Sequence, residues 1–309
     1  MLKAGVVGVG SLGQHHARIF ASLSDVKLVG ISDSNQERGE EIARRYKTDY
    51  FPALESLIEA VDCASVAVPT IDHHRVCAAF LDAGRHVLVE KPIAASPAEA
   101  RDLITRARRN GRVLQVGHLE RCNPAFLAVQ RFITTPKFFE THRLGIFVPR
   151  SLDIDVVMDL MIHDLDLVLS LSKAEIRDIR AVGIPILTDK IDIANVRLEF
   201  ESGEVANLTA SRVSSEKVRK FRFFQPNDYI SLDFRNQSAN VYSLCTADTE
   251  FGKEIISRNI VVESGEPLRN EIESFVTSIT QDTPVVCTGE DGLRALEVAH
   301  RIIADMHMV

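Results

Sequence analysis

Lys91 stands in Glu90-Lys91-Pro92, at the C-terminal end of the apolar run His86–Glu90, and Asp159 and His163 lie four apart further along the chain. Open α/β sheets bind ligands outside the C-terminal tips of their strands, so a lysine there could act as a general acid or base. Pro92 limits the backbone beside it, and a cis Lys91–Pro92 bond would aim the ammonium. The plain alternative is a surface lysine before a loop proline. On a helix, a spacing of four puts Asp159 and His163 on one face. The carboxylate could then orient an imidazole whose pKa suits proton removal from an alcohol near neutral pH. Asp155 and Asp166 share that face, and the pattern equally fits the solvated side of an amphipathic helix. Asp159, His163 and Asp164 are possible metal ligands, but no Cys/His partner occurs at a recognisable ligand spacing, so no metal is expected.

A second constellation lies near the start of the chain, where Gly8, Gly10 and Gly13 form Gly-x-Gly-x-x-Gly between an apolar run and a helical pattern. The first glycine permits a tight turn, the second lets the backbone approach a pyrophosphate, and the third permits close helix–strand packing. The helix N-terminus then faces the anion. Asp33, twenty residues beyond Gly13, ends the next apolar run, where an acid can bind the adenosine ribose hydroxyls. The ordinary alternative is a glycine-rich turn followed by an aspartate of no consequence. A carboxylate on the ribose would repel a 2′-phosphate, which favours NAD over NADP, although Arg38 and Arg18 could offer a compensating cation.

The elements that must position these residues follow from periodicity. Ala4–Val9, Lys27–Asp33, Asp49–Phe51, Cys63–Val68, His86–Glu90 and Val113–Gly117 are short apolar runs, the stronger ones nearly continuous Val, Ile and Leu, as in strands buried on both faces. Helical patterns lie between them, at Leu12–Leu23, Asn35–Tyr46 and Pro97–Asn110, the last closing at Gly111. This alternation predicts a doubly wound α/β parallel sheet. After Pro124 the pattern changes to helices at Ala125–Thr134 and Asp155–Leu171. Period-two alternation follows, with Val196, Leu198 and Phe200 set against Asn195, Arg197 and Glu199, and predicts a large, mostly antiparallel sheet with one apolar face. Helical segments at Leu268–Gln281 and Glu290–His307 end the chain. The expected domains are 1–120, binding dinucleotide, and 121–309, an α+β substrate domain whose terminal helices could pack back on the first.

Composition narrows the function classes. A chain of 309 residues with a hydrophobic share of 45% is long and apolar enough for two full cores. The formal charge of −7 is interspersed, without the basic stripe that nucleic-acid binding needs. Five scattered cysteines without a Cys-x-x-Cys pair read as reduced thiols. No apolar run is long enough for a signal segment or a membrane span, and a cytoplasmic protein is expected. His15-His16 and His73-His74 are adjacent pairs, whose side chains point in different directions on a helix, which favours helix-start or packing roles.

Taken together, Gly8-x-Gly10-x-x-Gly13 with His16-Ala17, the run Ala83-Gly84-Arg85-His86-Val87-Leu88-Val89-Glu90-Lys91-Pro92, and Asp159-x-x-x-His163 resemble the Gfo/Idh/MocA oxidoreductase family over nearly the whole chain. The resemblance implies a Rossmann domain, a second domain on an open sheet, a substrate cleft between them, and Lys91, Asp159 and His163 as the catalytic set. The expected cofactor contacts are Gly8, Gly10, Ser11, Leu12, Gly13, Asp33, Arg38, Pro69, Thr70, His74, Glu90 and Lys91. Where many relatives carry a glycine run, Asp155-Val156-Val157-Met158 stands here, a departure that bears on pocket shape. Gly117-His118-Leu119-Glu120-Arg121-Cys122-Asn123-Pro124 is similar to a segment of relatives acting on nucleotide sugars, with Cys122 in place of a phenylalanine. Arg121 and Asn123, with Lys91 and His163, are therefore the expected substrate contacts. Arg121 could pair with a diphosphate through its planar fork or, alternatively, form a structural ion pair with Glu120 or a neighbouring helix. The implied activity is NAD-dependent oxidation of a sugar hydroxyl, with UDP-N-acetylglucosamine as the expected substrate and a homo-oligomer (dimer or tetramer) as the expected assembly. A dehydrogenase of free sugar, inositol or a non-sugar substrate, and a non-catalytic dinucleotide-binding regulator, are the alternatives.

Overall fold

Short strands with almost no polar residue need cover on both faces, and the first part of the chain supplies it with helices on either side of a parallel sheet. The computed structural model describes residues 1–148, 154–248 and 250–308. Its first elements are β1 (Leu2–Val7), α1 (Gly13–Ser22), β2 (Val26–Ser32), α2 (Gln36–Tyr46), β3 (Asp49–Tyr50), α3 (Leu54–Ala60), β4 (Cys63–Val66), α4 (Thr70–Asp82), β5 (His86–Glu90), α5 (Pro97–Asn110) and β6 (Leu114–Gly117). The strands lie in the order β3-β2-β1-β4-β5-β6, and all are parallel. The order reverses between β1 and β4, the switch point at which sheets of this kind leave a crevice. Asn35 caps α2, accepting the N–H of Arg38, and Ser96 caps α5, which ends at the left-handed Gly111.

The second part contains α6 (Pro124–Val129), β7 (Phe138–Leu144), α7 (Ile162–Leu171), β8 (Ile176–Ile184), β9 (Ile193–Phe200), β10 (Val205–Ser211), β11 (Val218–Gln225), β12 (Asp228–Asp233), β13 (Ser238–Thr246) and β14 (Lys253–Ile260). Two helices, α8 (Pro267–Thr280) and α9 (Gly289–Ala304), precede a short β15 (Met306–Met308). The nine-stranded sheet runs β14-β13-β12-β11-β7-β10-β9-β8-β15. It is mostly antiparallel, but β10 pairs parallel to β7 and β15 parallel to β8, so it is a mixed sheet. Along β9 the apolar Ala194, Val196, Leu198 and Phe200 are buried while the residues between them are not, which is the expected alternation.

Two compact units result, residues 1–119 with 267–296, and residues 120–266 with 297–309. The first therefore includes a stretch that the sequence pattern had grouped with 121–309. The reason is packing: Ile272, Phe275 and Val276 of α8 join a core with Val6, Ile19 and Phe20. Local differences also have local causes. The helix expected over Ala125–Thr134 ends at Val129 and continues as a 3₁₀ turn over Gln130–Phe132. The helix expected over Asp155–Leu171 opens with a π turn at Val157–Met161. The helix expected to reach His307 stops at Ala304, because Met306–Met308 pair with β8 instead.

Candidate functional site

The glycine loop connects β1 to α1, and its three glycines meet different demands. Gly8 adopts φ +80°, and a Cβ there would lie 2.7 Å from the Ala67 carbonyl oxygen, while one at Gly13 would lie 1.8 Å from that of Gly8. These two are required by the fold. A Cβ at Gly10 would meet nothing within 4 Å, so Gly10 borders open space. Leu12, at the N-terminal end of α1, offers no capping oxygen, and the positive end of the helix dipole there suits an anion.

Asp33 follows β2 directly, and its carboxylate is held by the backbone: Oδ2 accepts the N–H of Val9 at 2.6 Å and Oδ1 that of Asn35 at 2.8 Å. Each oxygen keeps a further lone pair for a ligand hydroxyl. Arg38 lies over the same loop and donates from Nε to the Val9 carbonyl at 3.0 Å. A pocket of about 310 Å³ opens here, with Gly8, Gly10, Asp33, Pro69, Asp72 and Arg75 in its wall. The structure thus gathers Gly8, Gly10, Asp33 and Pro69 around one space beside the glycine loop. Ser11 and Leu12 are exposed on the loop, and Thr70 begins α4. Arg75, which no sequence pattern singles out, brings a cation to the pocket wall, paired with Asp72 at 3.1 Å.

His74 is turned to the neighbouring helix, where its Nε2 lies 2.7 Å from Oδ2 of Asp102 on α5. Its neighbour His73 points inward instead, as adjacent helical residues must diverge. The His73 ring nitrogens lie 2.8 Å from the Pro92 carbonyl and 3.0 Å from that of Val68. Burial pulls its pKa below the ordinary value, against the opposing pull of the two carbonyls and Glu90.

At the tip of β5 the Lys91–Pro92 bond is cis and Lys91 is half-buried. The Glu90 carboxylate turns inward, where Oε1 meets Nε2 of His16 at 2.9 Å, and Oε2 accepts the Lys91 backbone N–H at 3.3 Å. Burial pushes the Glu90 carboxyl up, but the His16 hydrogen bond and the charges of His16 and Lys91 outweigh it and hold the group below its ordinary value.

In the second unit, Asp159 lies in the π turn and His163 in the first turn of α7, both half-buried. π turns inside helices recur at functional sites. The rest of α7 is not a solvated face. Asp164 and Asp166 are both buried, each bound by an arginine through two hydrogen bonds: Arg143 to Asp164 at 2.9 Å twice, and Arg121 to Asp166 at 2.7 Å twice. Arg143 also donates to Glu120 at 3.0 Å. Burial pulls the Arg143 guanidinium down, but Asp164 and Glu120 together hold its pKa above the ordinary value. Asp155 is likewise used structurally, accepting the N–H of Ile191 at 3.0 Å.

Arg121 and Asn123, the expected substrate contacts, both have structural partners in this geometry. Arg121 is buried and its fork is turned to Asp166, the ion-pair alternative raised by the sequence. Asn123 caps α6 through the N–H of Ala125 and donates to Glu120 and to the Phe234 carbonyl. Buried polar groups need such partners, and here the fold supplies them. Among the described residues no group of three or more His, Cys, Asp or Glu is placed to hold a metal ion.

A doubly wound sheet with a glycine loop, an acid after β2 and a lysine at the tip of β5 defines a dinucleotide-binding oxidoreductase. Residues 2–118 match the oxidoreductase family with NAD-binding Rossmann fold, and residues 136–225 match the GFO/IDH/MocA C-terminal domain. The chain is 39% identical over 302 residues to the UDP-N-acetylglucosamine 3-dehydrogenase of Acidithiobacillus ferrooxidans, covering 97% of this chain and 96% of that protein. It therefore belongs to the GFO/IDH/MocA oxidoreductase family. A solved structure of that dehydrogenase superimposes with a TM-score of 0.93 at 38% identity, covering 99% of this chain and 97% of the other. The inositol 2-dehydrogenase of Rhizobium meliloti is 25% identical over 315 residues, covering 96% of this chain and 94% of its own. Levoglucosan dehydrogenase in complex with NADH shares the fold, with a TM-score of 0.87 at 18% identity and coverage of 98% and 96%.

Proposed function

We propose that this protein is an NAD-dependent dehydrogenase that oxidises a ring hydroxyl of a nucleotide-linked amino sugar, UDP-N-acetylglucosamine. The observation that carries this reading is the 39% identity, over 97% of the chain, to a UDP-N-acetylglucosamine 3-dehydrogenase. The more distant inositol dehydrogenases support the reaction class, not the substrate.

The residues at the glycine loop fit a dinucleotide, since Gly10 borders open space beside the uncapped start of α1. Gly8, Gly10, Ser11, Leu12 and Gly13 would hold the pyrophosphate, Asp33 the adenosine ribose, and Pro69, Thr70 and Glu90 the remainder. The bound dinucleotide supplies the hydride acceptor. Asp33 supports NAD over NADP, because both its oxygens are fixed by backbone N–H groups and a 2′-phosphate would meet that charge. In this reading Lys91 holds the reacting oxygen, His163 receives the hydroxyl proton, and Asp159 orients the imidazole.

A homo-oligomer through the second sheet forms part of the proposal. Phe224 stacks on Tyr229 at 4.5 Å and Tyr229 on Tyr242 at 5.1 Å, an aromatic row suited to a partner surface. All five cysteines are free, which suits a reducing cytoplasm, and among the described residues no helix is long and apolar enough to cross a membrane.

The site assignment is tested by Lys91→Ala and His163→Ala. Each should keep NAD affinity close to that of the wild type and lower turnover at least about a hundredfold, the scale of lost acid–base help. Wild-type turnover in either variant would remove that residue from the chemistry.

A further inference from the structure

The tip Glu90-Lys91-Pro92 is gripped by two buried histidines that the proposed reaction does not use. His16, from α1, lies with Nε2 2.9 Å from Glu90 Oε1 and Nδ1 2.7 Å from Ser65 Oγ on β4. His73, from α4, reaches the carbonyls of Pro92 and Val68 at 2.8 and 3.0 Å. All four ring nitrogens have an oxygen within hydrogen-bonding reach, as buried polar groups require.

The two contacts differ in kind. His73 grips only backbone. His16 grips a charge: an ionised carboxylate is acceptor-only, so Nε2 of His16 carries the proton in that contact, and the Ser65 hydroxyl can turn to suit Nδ1. The other Glu90 oxygen accepts the Lys91 N–H. One carboxylate thus touches both the helix that leaves the glycine loop and the residue assigned to the reacting oxygen.

We infer that His16 is a positioning residue for Lys91, acting through Glu90, so that one buried imidazole–carboxylate pair ties the glycine-loop helix to the lysine and sets its orientation and charge. The inference rests on the proposed role of Lys91. Of the groups on elements packed against β5, His73 from α4 feels the Glu90 charge and Ser65 from β4 meets His16, while β6 presents Gly117 beside Glu90, without a side chain. His16, with a smaller share from Lys91, holds Glu90 ionised against its burial. Without His16, burial would push the Glu90 carboxyl upward, and the negative charge beside Lys91 would be weakened. A lysine deprived of such a neighbour gives up its own proton at lower pH.

Three full-length variants test this: His16→Leu, which removes the donor; His16→Gln, which keeps an N–H; and Glu90→Gln, which keeps shape and removes charge. The Lys91 titration is followed by NMR of reductively ¹³C-methylated protein, its signal identified by loss in Lys91→Ala. This readout needs neither cofactor nor substrate. In His16→Leu and Glu90→Gln, Lys91 should titrate about one pH unit or more below wild type, and His16→Gln should recover part of the shift. Turnover of UDP-N-acetylglucosamine should fall on the order of tenfold to a hundredfold in His16→Leu, as for a misplaced reacting group, with NAD affinity within about threefold of wild type. An unchanged Lys91 titration in folded His16→Leu would overturn the inference. Should that variant not fold, an unchanged titration in Glu90→Gln would overturn it equally. Wild-type turnover in Lys91→Ala would instead overturn the role of Lys91, whatever the titration shows.

Discussion

Arg121 and Asp166 are joined by two parallel hydrogen bonds of 2.7 Å, Nε to Oδ2 and Nη2 to Oδ1, with both side chains buried in the second unit. With Arg143, Asp164 and Glu120 they make a buried set of alternating charges that holds α7 against β7. Removing one member leaves its partner charged and without solvent. Arg121→Met should therefore cost about 3–5 kcal/mol of unfolding free energy in urea, while Arg121→Met combined with Asp166→Leu should cost much less. A variant of undiminished stability whose KM for the nucleotide sugar alone had risen would return Arg121 to the substrate.

Asp33 leads to a cofactor prediction. Its oxygens already accept from Val9 and Asn35, so the carboxylate is fixed in place and cannot swing aside to admit a phosphate. NAD should bind at least several-fold tighter than NADP by calorimetry, and Asp33→Ser should narrow the gap, helped by the nearby Arg38. Equal affinities in the wild type would contradict this.

His86 gives the pH dependence of stability a definite window. Its Nδ1 accepts the N–H of Val113 at 3.0 Å, which requires the neutral ring on that side. Burial first, and the charge of Arg112 second, lower its pKa from 6.5 to about 4. The unfolded chain therefore binds this proton more readily than the folded one. The contribution of His86 to stability is complete above pH 6.5 and is lost as pH falls from there through about 4. His86→Asn, which does not titrate, should flatten the fall in urea-unfolding free energy between pH 7 and pH 4.5. An undiminished slope in the variant would assign the dependence to other groups.

Much of the first unit was legible because its signals are local. β4, β5 and β6 are short runs of apolar residues, α5 carries Ser96 at one end and Gly111 at the other, and the glycine spacing encodes its own turn. In the second unit the alternation along β9 was equally plain. What could not be read depends on contacts distant in sequence. Asp164 and Asp166 look like the solvated side of a helix, and only the arrival of Arg143 and Arg121, 21 and 45 residues earlier, explains their burial. The π turn at Val157–Met161 has no periodic signature that separates it from an ordinary helix. His16 and His73 were read as helix-start or packing residues, because their oxygen partners come from strand tips 74 and 19 residues away.

Initial rates of NADH formation test the nucleotide-sugar assignment most directly. UDP-N-acetylglucosamine, UDP-glucose, N-acetylglucosamine, glucose and myo-inositol are compared at matched concentrations with NAD in excess, coupled to an aminotransferase if the equilibrium is unfavourable. Binding energy from the remote nucleotide orients the sugar, so its loss should lower turnover as well as affinity. UDP-N-acetylglucosamine should be oxidised at least about tenfold faster than any of the three substrates that lack a nucleotide. Faster turnover with glucose, N-acetylglucosamine or myo-inositol would contradict the nucleotide-sugar assignment.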